Sequence, residues 1–168
     1  TVIRNAAKEP EIVDLQNFIN SMGGKVSGAG SNTIIIEGVE NFHETEYTVI
    51  PDRIVAGTYL ISAAITGSDI VVRNITMEHI HSIVTKLRES GCKIIPFDDS
   101  LRIKAPERLW AIEHAKTHPH PGFPTDMQAL LMSALTVAQG TSIITENIFE
   151  NRFKHVPELI RMGANIRT

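Results

Sequence analysis

A single cysteine, Cys92, stands in a chain of 168 residues. One thiol forms no internal disulfide, so the disulfide-dense secreted scaffolds are excluded and a reducing cytoplasm is expected. Charge of neither sign dominates: 16 Lys and Arg against 19 Asp and Glu leave a formal charge of −3. That balance, without a basic tail, argues against a large nucleic-acid surface. Aromatic residues make up only 5%, with one tryptophan and two tyrosines. These are too few for the stacking platform that binds single-stranded nucleic acid. No apolar run reaches the roughly 18 residues of a membrane span, and the opening residues do not read as a signal peptide. What remains, 42% hydrophobic and 21% charged, is the composition of a globular chain with room for one domain or two small lobes.

The strongest organising signal is an internal repeat. Pro51-Asp52 and Pro124-Thr125-Asp126 each introduce a largely apolar helical stretch, Arg53–Thr66 and Met127–Gln139. A glycine, Gly67 or Gly140, follows each stretch like a helix C-cap. Then come two β-branched runs ending in asparagine, Asp69–Asn74 and Ser142–Asn147. A second helix follows in each copy, reaching Lys86–Gly91 and Pro157–Gly163. A third, partial copy opens the chain, with a strand at Thr1–Asn5, a helix at Glu11–Met22 and a turn at Gly23-Gly24. Lys25–Ser27 and Thr33–Ile36 read as a hairpin, and Cys92–Ile95 with Leu101–Lys104 as its counterpart. With a leading strand at Tyr47–Ile50, the middle unit reads strand, helix, strand, helix, strand, strand. The fold class is therefore α/β, with repeated βαβαββ units whose helices cover small mixed sheets. The first copy lacks its opening strand and helix, and the last stops at Ile166-Arg167-Thr168 where a hairpin should begin. The chain is expected to be a piece of a longer protein, incomplete at both ends.

Two stretches carry chemistry. In His118-Pro119-His120-Pro121-Gly122-Phe123-Pro124-Thr125-Asp126-Met127-Gln128, three prolines hold an extended path that delivers Thr125 and Asp126 to a helix start. Either residue is suited to cap the free N–H groups there, and a carboxylate is favoured by the helix dipole. A functional reading needs a substrate that wants a fixed carboxylate. The second stretch, Glu146–Pro157, follows a strand and precedes a helix, where ligands of α/β sheets commonly sit. Arg152 is suited to clamp a phosphate or carboxylate, and Phe149 and Phe153 offer flat apolar faces. The competing reading buries both phenylalanines and pairs Arg152 with a nearby glutamate.

His120–Gln128 followed by Phe149-Glu150-Asn151-Arg152-Phe153 closely resembles the UDP-N-acetylglucosamine 1-carboxyvinyltransferases. Asn5–Asp14 and Pro51-Asp52-Arg53-Ile54 are similar to that family as well, so the resemblance covers essentially the whole chain. It implies the enolpyruvyl transferase fold, an inside-out α/β barrel of two lobes with the active site in the cleft between them. By that analogy residues 1–50 end one lobe and residues 51–168 form part of the other. The implied reaction moves the enolpyruvyl group of phosphoenolpyruvate to the 3′-hydroxyl of UDP-N-acetylglucosamine, releasing phosphate, in the first committed step of peptidoglycan synthesis. No cofactor is implied. The remaining segments of the parent enzyme are implied as partners, and neither nucleic acid nor membrane is.

The resemblance also implies roles. Asp126 matches the carboxylate that contacts the sugar 3′-hydroxyl, where it serves as base or stabilises positive charge on C2 of the enolpyruvyl group. Thr125 would sit beside the sugar, and Ile148 would bind the nucleotide through its main chain. Phe149 would line the same pocket, with Arg152 facing the anionic cleft. Glu9, Glu11, Asp52 and Arg53 match charged positions near the interlobe junction, where a network that sets lobe closure explains them as well as substrate contact does. The family's reactive cysteine lies outside this segment, as do its phosphoenolpyruvate-binding lysine and arginine. The chain alone is therefore expected not to turn over, and Cys92, at a strand start, is expected to be buried and inert.

Other signals are weaker. Of seven histidines, His79 and His81 are two apart, as are His118 and His120, with His114 nearby. Positions i and i+2 of a helix point to different faces, and no cysteine or carboxylate completes a zinc spacing, so no metal site is expected. His118 departs from the family, where a small residue is common. Gly23-Gly24 and Gly28-Ala29-Gly30 lack the dinucleotide and P-loop fingerprints and read as a cap and a turn. Trp110 follows Glu107-Arg108-Leu109 in a linker. Two alternatives stay open: the sister enolpyruvyl transferase acting on shikimate 3-phosphate, and a non-catalytic sugar-nucleotide-binding module.

Overall fold

The computed structural model describes residues 1–168. They fall into two compact units, Thr1–Ile50 with Pro119–Pro121, and Pro51–His118 with Gly122–Thr168.

In the first unit, strand β1 (Val2–Arg4) leads into helix α1 (Pro10–Ser21), then strands β2 (Lys25–Ser27) and β3 (Thr33–Glu37). Pro10 starts α1 because its missing N–H would have no helical partner there. The sheet is antiparallel in the order β1-β3-β2, pairing Ile3 with Ile34 and Val26 with Ile36. Asn20 fastens α1 to β2 from both sides of its amide. Its Nδ2 donates to the Val26 carbonyl at 2.7 Å, and its Oδ1 accepts from the Val26 N–H at 2.8 Å.

The second unit begins with α2 (Arg53–Ile65), β4 (Asp69–Arg73), α3 (Met77–Glu89), β5 (Lys93–Pro96) and β6 (Ser100–Lys104). It continues with β7 (His114–Lys116), α4 (Gln128–Leu135), β8 (Ile143–Thr145) and α5 (Val156–Arg161). Asp52 starts α2 as an N-cap, its Oδ1 accepting from the N–H groups of Ile54 (2.7 Å) and Val55 (3.1 Å). In α3 the buried residues Ile80, Ile83, Val84 and Leu87 repeat at helical spacing and make one apolar face. That face, α2 residues such as Leu60, and the inward residues Leu101 and Ile103 of β6 form the core with Met127 and Leu131. Each such side chain contributes about 1.5–3 kcal/mol through burial. The order β4-β6-β5 is antiparallel, with Ile103 facing Ile70 on one side and Ile94 on the other. Strands β7 and β8 pair in parallel.

The repeat persists at the level of backbone conformation. Gly23, Gly91 and Gly163, which close the equivalent helices, lie at φ of 92°, 96° and 100°. Only glycine occupies that region without penalty from a Cβ.

The elements depart from expectation in four places. Tyr47–Ile50 forms no strand. Tyr47 is instead tied to α1 by its side chain: its hydroxyl donates to Asp14 Oδ1 at 2.7 Å, and its ring lies 5.3 Å from that of Phe18. The helix expected over Met127–Gln139 is a 3-10 turn at Thr125–Met127 followed by α4, which ends at Leu135. The strand expected over Ser142–Asn147 is confined to β8, flanked by side-chain bonds: the Ser142 hydroxyl accepts from the Ile112 N–H, and the Asn147 N–H donates to the Thr117 hydroxyl. The stretch around Trp110 is no free linker. The Gln139 N–H donates to the Leu109 carbonyl and the Ala111 N–H to the Gln139 carbonyl, at 2.7 and 2.8 Å, and β7 follows directly.

Candidate active site

Three segments of the second unit converge: Thr117 after β7, the turn Pro124–Gln128, and the loop after β8. Backbone pairing continues past β7, with the Thr117 N–H donating to the Thr145 carbonyl and the His118 N–H to the Phe123 carbonyl, both at 3.0 Å. Pro124 is extended (φ −72°, ψ 139°), and the Met127 N–H donates to its carbonyl at 3.0 Å, which starts the 3-10 turn. Met127 is fully buried and anchors that turn in the core. Its neighbour Asp126 is thereby turned outward, with 56% of its side chain exposed.

Arg152 reaches Asp126 from the loop after β8, Nη2 to Oδ1 at 2.5 Å. Its guanidinium also lies 5.3 Å from the centre of the Phe149 ring. A cation against an aromatic face is stabilised by the ring quadrupole, so Phe149 supports Arg152 where it meets Asp126. Asn151, just before Arg152, takes a left-handed conformation (φ 57°), which asparagine tolerates better than most residues.

Glu146 joins the segments. Its Oε1 accepts from the Thr117 hydroxyl (2.8 Å) and from the N–H groups of Ile148 (2.8 Å) and Phe149 (3.3 Å). Its Oε2 accepts from the Thr125 hydroxyl at 2.8 Å. Thr117 in turn accepts from the Asn147 N–H at 2.8 Å. Partial burial pushes the Glu146 carboxyl up, but the four donors outweigh it and hold it below the usual carboxylate range.

Thr125, Asp126, Ile148, Phe149 and Arg152 therefore lie together around one carboxylate–guanidinium pair and one carboxylate hub. The expectation that Thr125 or Asp126 caps a helix is not realised: neither the 3-10 turn nor α4 has a side-chain cap, since Asp126 faces Arg152 and Thr125 faces Glu146. The alternative partner for Arg152, a glutamate, is replaced by an aspartate 26 residues away. Phe149 is not core but 57% exposed, whereas Phe153 is partly buried. Asp52 is engaged in capping α2, and Arg53 is buried in its first turn. Glu9 and Glu11 lie in the first unit, at and just after the start of α1, where one Glu9 oxygen is buried without a hydrogen-bond partner. Sequence reading passed over Glu146 and Thr117. Glu146 stood inside the quoted loop as a carboxylate at a strand end, whereas Thr117 carried no signal.

No three His, Cys, Asp or Glu side chains are grouped to hold a metal ion, and no helix is long and apolar enough to cross a membrane. Residues 1–168 match the family model described as EPSP synthase (3-phosphoshikimate 1-carboxyvinyltransferase). The chain belongs to this family. Among curated relatives it is 56% identical over 167 residues to UDP-N-acetylglucosamine 1-carboxyvinyltransferase 2 of Caldanaerobacter subterraneus subsp. tengcongensis, which covers 99% of this chain and 40% of that protein. It is 52% identical over 166 residues to the UDP-N-acetylglucosamine 1-carboxyvinyltransferase of Myxococcus xanthus, covering 99% of this chain and 39% of the relative. The chain thus spans about 40% of the length of the curated relatives it matches. Among solved structures, the enolpyruvyl transferase NikO from Streptomyces tendae superposes with a TM-score of 0.82 at 20% identity, over 100% of this chain and 40% of that one. EPSP synthase from Acinetobacter baumannii gives 0.59 at 21% identity, over 86% of this chain and 35% of that one. These likenesses establish the enolpyruvyl transferase fold, incomplete here relative to its members.

Proposed function

We propose that this chain is a segment of a UDP-N-acetylglucosamine 1-carboxyvinyltransferase, which moves the enolpyruvyl group of phosphoenolpyruvate to the sugar 3′-hydroxyl and releases phosphate. Residues 1–50 belong to one lobe and 51–168 to the other, and the remaining segments of the enzyme complete the active site. The reaction serves peptidoglycan synthesis in the cytoplasm, and through it cell shape and division.

The observation that carries the reading is the exposed Asp126 carboxylate, held by Arg152 and flanked by Thr125. The sugar hydroxyl loses a proton as its oxygen bonds to C2 of phosphoenolpyruvate and the C2=C3 π bond takes up a proton at C3. Loss of a C3 proton and of phosphate from the adduct then restores the double bond. A carboxylate is a weak base for an alcohol, so Asp126 acts as the bond from oxygen to C2 forms and makes the hydroxyl proton acidic. Its charge also stabilises positive charge on C2. Ile148 contacts the nucleotide through its main chain, Phe149 lines the same pocket, and Arg152 presents a cation to the anionic ligands. Glu9, Glu11, Asp52 and Arg53 are assigned to the interlobe charge network rather than to the reacting atoms.

Calorimetric titration of the intact transferase with UDP-N-acetylglucosamine, paired with phosphate release on adding phosphoenolpyruvate, tests the assignment. Wild type is expected to bind and turn over, and D126A to bind more weakly with little turnover. Binding without turnover in the wild type would favour a non-catalytic sugar-nucleotide module. Turnover with shikimate 3-phosphate instead would favour the sister transferase.

A further inference from the structure

Glu146 has no part in the reading above, yet its two oxygens face donors of different kinds. Oε1 receives two main-chain N–H groups and the Thr117 hydroxyl, whereas Oε2 receives the Thr125 hydroxyl alone. A main-chain N–H can only donate and an ionised carboxylate can only accept, but a hydroxyl can do either. Both threonines must therefore turn their protons toward Glu146. Thr117 also accepts from the Asn147 N–H through a lone pair, so its hydroxyl serves both groups at once. Thr125 has one proton, and Glu146 takes it. Toward any other group Thr125 offers lone pairs alone.

We propose that Glu146 is a positioning residue that sets the hydrogen-bond polarity of the site, making Thr125 an acceptor-only contact. The inference rests on the reading of Thr125 and Ile148 as sugar-nucleotide contacts. The same carboxylate occupies the Ile148 N–H, which leaves the Ile148 carbonyl as that residue's main-chain handle. Thr125 Oγ1, the Ile148 carbonyl and the Asp126 carboxylate then give the converging segments a set of acceptors. A ligand meeting them must present hydroxyl or amide N–H donors, as a sugar with free hydroxyls does.

The test is E146Q in the intact transferase, read by UDP-N-acetylglucosamine affinity and melting temperature. Glutamine keeps the length and shape of glutamate. Its amide oxygen must stay on the Ile148 and Phe149 N–H groups, which cannot reverse, so its NH2 faces Thr125. The Thr125 hydroxyl then accepts, and its proton points outward. The expected result is a Kd raised about tenfold with a melting temperature lowered by no more than about 4 °C, and no further rise in Kd when E146Q is added to T125V, since coupled residues are non-additive. An unchanged Kd in E146Q, or the same fold-loss in the T125V background, would show that the carboxylate only holds the loop and would overturn the proposal. Failure of the wild type to bind the nucleotide would instead overturn the functional reading, and this inference with it. Should E146Q not fold, neutron diffraction of the deuterated wild type decides the matter. Deuterium on Thr125 Oγ1 directed at Glu146 supports the proposal, and any other direction refutes it.

Discussion

Arg152 and Asp126, 26 residues apart in sequence, close an ion pair in which Nη2 lies 2.5 Å from Oδ1 while 37% and 56% of their side chains stay exposed. Such a pair adds little to folding, since exposed ion pairs contribute about 0–1 kcal/mol. What the pair does fix is direction: it orients a carboxylate that stays open to solvent.

R152A is accordingly expected to separate stability from function. Its melting temperature should lie within about 4 °C of wild type. On the proposed function, turnover of the intact enzyme should fall about tenfold or more, because a charge-assisted hydrogen bond is worth about 1.5–3 kcal/mol where it acts. D126N should cost more, about 10²–10⁴-fold in kcat. Thermal melts and initial rates on the same preparations check both; a large drop in melting temperature with an unaltered rate would contradict the assignment.

Glu146 makes stability depend on pH. Its carboxyl titrates below the usual range in the folded state, so it stabilises the fold above its unfolded value of about 4.3. That contribution is lost as pH falls through the folded value. Urea unfolding between about pH 5 and pH 2.5 should therefore show a steeper fall for wild type than for E146Q, which has no carboxyl to protonate at this position. Parallel profiles would mean that the donors around Glu146 do not favour its charge.

Cys92 is 4% exposed, and burial pushes its thiol up, with a hydrogen bond involving Ser90 opposing that only in part. The thiolate is the reactive form, so neutral pH leaves this cysteine inert. Iodoacetamide at pH 7.5 should label it only after denaturation. Rapid labelling of the native protein would show the thiol to be accessible.

Gly28 turns the hairpin between β2 and β3 at φ 87°, where an added Cβ would sit 2.2 Å from the Thr33 carbonyl oxygen. A backbone oxygen cannot move aside as a side-chain tip can. G28A should destabilise the first unit by at least the roughly 1–2 kcal/mol of a left-handed L-residue. Hydrogen exchange of the β3 amides measures it, and unchanged protection would count against a fixed turn.

The parts of this fold that were legible in sequence are those whose cause is local. Ile80, Ile83, Val84 and Leu87 announce α3 because one helix face suffices to bury them. The helix-closing glycines announce the repeat, since a left-handed turn penalises any Cβ wherever it occurs. Tyr47–Ile50 is aromatic and β-branched like a strand, but it is anchored by the Tyr47 hydroxyl on Asp14, 33 residues back, which no short window contains.

The amino-acid order by itself determined the long helices, the hairpins and which residue types crowd the two loops, because periodicity and backbone restriction act over a few residues. Only the tertiary structure decided which polar groups meet. Thr125 and Asp126 are equally suited to a helix cap when read locally, yet Glu146 takes one and Arg152 the other. Each polar group has few donor or acceptor positions to fill. Which partner fills them depends on the chain segments that packing of Met127 and its neighbours brings within about 3 Å.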